Sequence, residues 1–200
     1  MSQLPDDGSI LVIGIGTVNI RKGVEFFIAA AAAVQRRNPA RRITFAWVGK
    51  CYWFDEPYLE YLEEQIRRAG VQSSFAFLGE FVDVEPVYAR ADMYFLSSRL
   101  DPLPNTAIDS AIRGIPVICF DQASGIAEIL KSATSTRDLV VPYLDADAAA
   151  QRVVELAEDP AKRSAVSDAM RTVALAQFDM VRLRNADRTG GEDDLAVSHG

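Results

Sequence analysis

The chain is poor in the residues that carry most nucleophilic, metal and redox chemistry. It has one histidine, His199, the penultimate residue. Ser-His hydrolysis, Cys-His nucleophiles and histidine-rich metal sites are therefore excluded unless another chain supplies the imidazole. The two cysteines, Cys51 and Cys119, stand far apart with no C-x-x-C between them, so neither a disulfide framework nor a zinc knuckle is present. Positive charge is in deficit: 21 basic residues against 28 acidic give a net charge of −7. A general nucleic-acid binder needs a basic face to displace counterions, so no nucleic-acid partner is expected. Long apolar runs are missing as well. The longest, Phe26 to Val34, has nine residues, against the ~20 that span a bilayer. The start, Met1-Ser-Gln-Leu-Pro-Asp-Asp-Gly8, is polar and acidic, unlike a signal peptide. No transmembrane segment is expected, and with free thiols the expected location is cytoplasmic.

What is present is ordinary for a globular protein: 200 residues, 49% apolar and 24% charged. That length supports a real core without disulfide or metal staples. Short apolar runs alternate with longer stretches of helical spacing. Ser9 to Gly14, Ile43 to Gly49, Phe75 to Gly79, Asp92 to Ser97, Ile115 to Phe120 and Leu139 to Val141 read as buried strands. Helices are expected between them over Lys22 to Arg37, Tyr58 to Ala69, Val84 to Ala91, Asn105 to Arg113 and Ser124 to Leu130. Two more, roughly Ala146 to Glu158 and Ala161 to Gln177, close the domain. This alternation predicts an α/β fold: a doubly wound, Rossmann-like parallel sheet of about six strands. Residues 1–8 read as disordered or linker and residues 9–184 as one domain. Residues 185–200 read as a disordered tail, with one arginine against four acids and few apolar residues.

In such a sheet ligands sit beyond the carboxyl ends of the strands, so the turns there are the candidates. The first is Gly14-Ile-Gly16-Thr-Val-Asn-Ile-Arg21-Lys22-Gly23. Paired glycines let backbone approach a ligand. Arg21 and Lys22 are expected at a helix N-terminus, where cations are disfavoured unless an anion is held alongside. A solvated basic turn and an anion site both fit. A dinucleotide fingerprint needs glycine at position 19, where Asn19 stands. The second turn is Ser97-Ser98-Arg99-Leu100-Asp101-Pro102-Leu103-Pro104-Asn105, stiffened by two prolines. Asn105 or Thr106 is expected to cap the next helix. Asp101 falls in the loop and Asp109 about one turn into that helix. Two such carboxylates suit sugar hydroxyls; a turn-starting aspartate and a solvated one fit the same spacing.

Several short motifs occur in fixed order: Arg21-Lys22-Gly23, Phe77-Leu78-Gly79, Tyr88-Ala-Arg-Ala-Asp92, Ser97-Ser98-Arg99, Gly114-Ile-Pro116-Val-Ile118 and Gly125-Ile-Ala-Glu128-Ile129. In this register the sequence resembles the C-terminal, nucleotide-sugar-binding domain of glycosyltransferase family 4 (group 1). These are retaining enzymes built from two facing Rossmann-like domains, the GT-B fold. The resemblance runs from about Ile10 to Gln177, and the Asp-Pro-Leu-Pro stretch is similar to large bacterial polysaccharide-assembly transferases.

The resemblance implies a hexosyltransferase-type activity in polysaccharide or glycoconjugate synthesis, with a nucleoside-diphosphate sugar as donor and neither cofactor nor metal. It places Asp101 beside the donor sugar, Asp109 on the ribose hydroxyls and Lys22 on the departing diphosphate, with Lys22 and Asp101 catalytic. The amides around Leu103, Pro104 and Asn105 would face sugar and phosphates, and Gly14, Gly16 and Arg21 would line the phosphate turn. The nucleobase would lie against Gly79, Glu80 and Phe81; Glu128 matches a family glutamate and receives no role. An N-terminal acceptor-binding domain is expected as partner, absent from this chain, so the isolated domain is expected to turn over little. The sequence departs from the pattern in carrying Asp for Glu at both acids. Gly16 also replaces an arginine six residues before the lysine, leaving Arg21 or Arg99 as substitutes. Those departures also fit a degenerate, non-catalytic transferase domain acting as an assembly or interaction module.

Asp145-Ala-Asp147 spells a D-x-D but precedes a helix and is expected to cap it. Phe45 and Trp47 are expected in the core. Cys51-Tyr52-Trp53-Phe54 is read as an inter-domain contact, a cleft wall or plain packing. Arg36, Arg37, Arg41 and Arg42 are expected to form a solvated basic face.

Overall fold

The computed structural model describes residue 4 and residues 8–40 and 42–189, with side chains for all of these except 53 and 179–189. In chain order the elements are β1 (Ile10–Ile15), α1 (Val24–Arg37), β2 (Ile43–Val48), α2 (Glu56–Ala69), β3 (Phe75–Gly79), α3 (Glu85–Arg90) and β4 (Met93–Leu96). They continue with α4 (Asn105–Ile112), β5 (Val117–Phe120), α5 (Gly125–Lys131), β6 (Val140–Val141), α6 (Ala146–Glu158) and α7 (Pro160–Thr189). Three-residue 3₁₀ turns sit at Ile20–Lys22, Trp53–Asp55 and Arg137–Leu139.

The six strands pair in the order β3-β2-β1-β4-β5-β6, and every pairing is parallel. This is the doubly wound sheet that the alternation predicts. The order of strand addition reverses at β1, which has β2 on one side and β4 on the other. The two sides are not equal. The β1–β2 ladder runs the full strand, from Ile10↔Ile43 to Ile15↔Val48. Between β1 and β4 the registered pairs are Val12↔Met93 and Ile13↔Tyr94. The sheet therefore parts at its carboxyl edge between the first and fourth strands, where an open α/β sheet presents its crevice.

The strands are apolar because both faces are covered. At the centre Phe27 of α1 meets Phe45, Trp47 and Phe75 edge-on and stacks on Phe95, with ring centroids 5.2 to 5.9 Å apart. Phe45 and Trp47 are buried as expected. Alanines dominate the contact of α1 with α6: Ala30 to Ala33 on one side, Ala149, Ala150 and Ala157 on the other, all buried. Small side chains let two helices pack closely on one face of the sheet.

Several boundaries differ from the sequence reading. Helix α1 begins at Val24, not Lys22, because Gly23 takes a left-handed conformation (φ 63°) that ends the 3₁₀ turn before the helix starts. Arg21 and Lys22 thus stand in a separate turn, one step before the helix N-terminus. Pro104, not Asn105 or Thr106, occupies the N-cap position of α4, and no side chain caps that helix. Thr106 is instead drawn to Tyr94, Oγ1 lying 2.9 Å from the phenol oxygen. Asp145 does cap α6, accepting from the Ala148 amide at 2.9 Å, while Asp147 pairs with Arg37 at 2.8 Å and Arg36 at 3.8 Å. Those two arginines therefore tie α1 to α6 as well as facing solvent. Helix α7 reaches Thr189 and packs across α4, α5 and α6. The rest of the expected C-terminal tail, residues 190–200 with His199, and most of the expected N-terminal linker lie outside the described residues. Among the described residues no helix is long and apolar enough to cross a membrane.

Candidate functional site

The crevice between β1 and β4 is lined by the turn after β1 and the proline loop after β4. Their two sequence-predicted charges meet there: Lys22 Nζ donates to Asp101 Oδ2 at 2.5 Å. Both are largely enclosed, with side chains 15% and 9% exposed. Ser98 Oγ donates to the same carboxylate oxygen at 3.5 Å, and Arg21 lies 3.7 Å from its partner, Oδ1. One carboxylate thus collects two cations and a hydroxyl. One guanidinium and one ammonium beside one acid leave a net positive charge there.

The backbone explains the meeting. Asn19 caps the 3₁₀ turn, its Oδ1 accepting from the Lys22 amide at 3.1 Å. Gly23 then lets the chain double back against β4; a Cβ there would stand 2.2 Å from the Ser97 carbonyl oxygen. On the other side the Asp101 amide donates to the Ala123 carbonyl at 2.7 Å and the Gly125 amide to the Pro102 carbonyl at 3.3 Å. The proline loop is thereby strapped to the turn after β5, and a Cβ on Gly125 would come within 2.8 Å of Pro102 O. Below it Tyr94, buried in β4, donates to the Ile15 carbonyl at 3.3 Å and reaches Thr106 in the first turn of α4. Its phenol pKa is raised by burial, so it stays a neutral hydrogen-bonding post.

The remaining sequence candidates divide. Leu103, Pro104 and Asn105 lead into the N-terminus of α4, which no side chain caps. The Ala107 and Ile108 amides donate to Pro104 O at 2.9 and 3.0 Å, and ahead of them the Asn105 and Thr106 amides open the helix. Leu103 and Asn105 are exposed and Pro104 is buried. Asp109 is exposed in the middle of α4. Its field reaches Tyr88, whose phenol is pushed up to about 12 first by burial and then by Asp109. No contact joins Asp109 to the Lys22–Asp101 pair. Gly16 stays at the crevice, its carbonyl accepting from Trp47 Nε1 at 2.9 Å. Gly14 is taken up by packing inside β1, where a Cβ would stand 2.6 Å from the Trp47 ring. Gly79 ends β3 and hands its carbonyl to the Gly49 amide at 2.8 Å. Glu80 is exposed and Phe81 half-buried beyond it, two strands away from β1. Glu128 pairs with Lys131 at 2.6 Å on α5.

Sequence reasoning assigned no role to Tyr94, Ser97, Ser98 or Glu25, all of which hold the two loops in place. Two serines directly after an apolar strand were the available signal, since buried hydroxyls need partners. The aromatic stretch after β2 presents Tyr52 and Phe54 at the surface, rings parallel within 4° and centroids 5.4 Å apart.

Comparison with known proteins agrees with this architecture. The chain is 29% identical over 111 residues to mannosylfructose-phosphate synthase of Agrobacterium fabrum, covering 54% of this chain and 24% of that protein. It is 24% identical over 178 residues to alpha-D-kanosaminyltransferase of Streptomyces kanamyceticus, covering 87% of this chain and 43% of that protein. The chain thus spans less than half the length of these curated relatives. Among solved structures, Anabaena Alr3699/HepE in complex with UDP superposes over 91% of this chain and 48% of that one, with a TM-score of 0.79 at 21% identity. The C-terminal domain of a glycosyl transferase group 1 family protein (LpcC) from Francisella tularensis matches over 84% of this chain and 86% of its own, with a TM-score of 0.72 at 20% identity. The family model described as glycosyl transferases group 1 matches residues 9–159, and the chain belongs to that family.

Proposed function

We propose that the chain is the donor-binding domain of a retaining, metal-independent glycosyltransferase that uses a nucleoside-diphosphate sugar. The observation that carries the reading is the cationic cluster of Lys22 and Arg21 about Asp101 at the β1–β4 switch point. Structural neighbours of the same fold were solved with UDP and with UDP-glucose.

Breaking the bond between a sugar and a nucleoside diphosphate leaves charge on the departing phosphates. A fixed ammonium, a guanidinium beside it and the free amides of α4 supply the counter-charge without a metal ion. Asp101 would turn to a donor-sugar hydroxyl once phosphate takes Lys22, and Asp109 would accept from the ribose. No cofactor is called for, since the leaving nucleotide is itself the activated group. A separate acceptor-binding domain, work in the cytoplasm and a role in polysaccharide or glycoconjugate assembly belong to the same proposal. Alone, the domain should bind nucleotide and turn over little.

Calorimetric titration with UDP, GDP and ADP tests the reading. Binding of at least one, abolished by inorganic pyrophosphate at excess, is the expected result; no binding at millimolar concentration removes it. A non-catalytic assembly module is favoured by one observation: Asp101 is already engaged by Lys22, with Ser98 and Arg21 close by. Release of free nucleoside diphosphate by this domain joined to an acceptor half would exclude that alternative.

A further inference from the structure

We propose that Arg99 is a positioning residue for this site: it clamps the 3₁₀ turn that carries Arg21 and Lys22, and so aims the Lys22 ammonium. The proposal rests on the donor-binding reading and adds a residue that touches no phosphate.

Three successive carbonyls of the turn are held from the loop that follows β4. Ile20 O accepts from the Arg99 guanidinium at 2.6 Å. Arg21 O accepts from the Arg99 amide at 2.9 Å. Lys22 O accepts from Ser97 Oγ at 3.1 Å. Inside itself the turn has little to hold its shape: the Lys22 amide bonds Asn19, and the Gly23 amide bonds Ile20 O at 3.2 Å. A three-residue 3₁₀ turn is weak by its own geometry, and left-handed Gly23 uncouples it from α1. Its direction is therefore set from outside: of the three bonds to its carbonyls Arg99 supplies two, one from the guanidinium and one from the backbone amide, while the Arg21 guanidinium reaches out to Leu100 O at 3.2 Å.

Arg99 is itself anchored. Its guanidinium pairs with Glu25 of α1 and lies over the Phe26 ring at 4.7 Å. Its carbonyl accepts from Tyr143 at 3.2 Å. Glu25 is held in turn by the Tyr58 hydroxyl of α2, and the Glu25 carbonyl by Gln65 at 2.9 Å. A chain of contacts thus runs from α2 through α1 and Arg99 to the turn. This separates the two arginines that could replace the family's missing cation. Arg99 has its charge matched by Glu25 and its donors in use. Arg21 donates to Leu100 O at 3.2 Å but has a side chain 52% exposed and, among the described residues, no carboxylate closer than Asp101 at 3.7 Å, so Arg21 is the second phosphate cation and Arg99 the clamp.

Lysine at position 99 keeps the charge for Glu25 but lacks the planar fork that reaches Ile20 O at the same time. The test compares wild type with Arg99→Lys, Arg99→Met and Ser97→Ala. Two readouts are taken: affinity for UDP and for uridine, and amide hydrogen exchange at Lys22 and Gly23. In both Arg99 variants UDP affinity should fall roughly tenfold, the effect of one displaced charge-assisted contact, with uridine within about twofold. Exchange at Lys22 and Gly23 should rise roughly tenfold while amides of β1 and β4 hold. Ser97→Ala should move both readouts the same way by less. Unchanged exchange at Lys22 and Gly23, or exchange rising equally through β1 and β4, overturns the clamp. Equal losses for UDP and uridine overturn it too. If wild type binds no UDP, it is the donor-binding reading that fails, and the exchange measurement still decides the clamp. Should Arg99→Met not fold, the other two variants carry the comparison.

Discussion

Lys22 and Asp101, 79 residues apart in sequence, meet at 2.5 Å across the seam between β1 and β4, where the order of strand addition reverses. The pair is enclosed enough that neither partner is replaced by water without cost. Removing one member of a buried ion pair costs more than removing both, because the survivor is left uncompensated. Lys22→Met and Asp101→Asn are each expected to lower stability by about 1–3 kcal/mol, and the double variant by less than their sum. Urea denaturation of the four proteins measures the coupling. A coupling energy near zero would mean that the contact contributes nothing to the folded state.

The same contact sets up a competition for the ammonium. A nucleoside diphosphate carries more charge than one carboxylate, so it is expected to take Lys22 from Asp101. Lys22→Ala should then weaken UDP by about 10–100-fold, or roughly 1.4–2.8 kcal/mol, while uridine affinity changes by no more than about twofold. Calorimetry on the two ligands checks this. Equal losses would remove Lys22 from the phosphates.

Asp109 makes a separate prediction because no contact joins it to that pair. If its carboxylate accepts from the ribose, wild type should prefer UDP over 2′-deoxy-UDP by about tenfold, one hydrogen bond to a charged group. In Asp109→Ala the preference should vanish. Competition titrations with the two nucleotides give the ratio, and a preference that survives the substitution places the ribose elsewhere.

Much of this was legible in the sequence, for physical reasons. Strands buried on both faces must be apolar, so the six of them announced themselves, and β3 (Phe75–Gly79) and α6 (Ala146–Glu158) have the predicted bounds. Lys22 and Asp101 were visible as charges beside glycine and proline at strand ends, where a solvated turn fits as well; it was the family resemblance that singled them out. The start of α1 was misplaced because a left-handed glycine and a continuing helix look alike in one dimension; only the approach of Ser97 O to Gly23 decides. The cap of α4 was misassigned because Asn105 and Thr106 fit the rule locally, while Tyr94 takes Thr106 in space. Gly14 looked like a ligand glycine and is space for Trp47. The clamp of Arg99 on Ile20 spans 79 residues, a relation no local pattern encodes.

The core offers a test independent of any ligand. Phe27 touches four aromatic rings from β2, β3 and β4, and is fully buried. Phe27→Ala leaves a cavity that those rings cannot close together, so a loss of about 3–5 kcal/mol is expected. Phe27→Leu should cost about half as much. Urea midpoints at constant slope read both. A loss under about 1 kcal/mol would mean that the ring cluster can collapse around the gap.

Alkaline pH separates the two thiols. Cys119 lies wholly inside β5, and burial, with a smaller contribution from Asp121, raises its pKa from 9.0 to about 12. The folded chain keeps this proton where the unfolded chain has lost it. Its contribution is therefore intact below pH 9 and is lost as pH climbs toward 12. By pH 10 the loss from this one group is about 1.4 kcal/mol, one pH unit of a single proton. Cys119→Ala should show a flatter decline between pH 8 and 10 by that amount, measured as urea midpoints, and matching slopes would assign the decline to other groups. The buried tyrosines act in the same direction only above about pH 10, where an unfolded phenol begins to ionise. Native protein should expose Cys51 alone to a thiol reagent at pH 8, since Cys51 is half-buried and Cys119 has no exposed surface; denaturant should release the second.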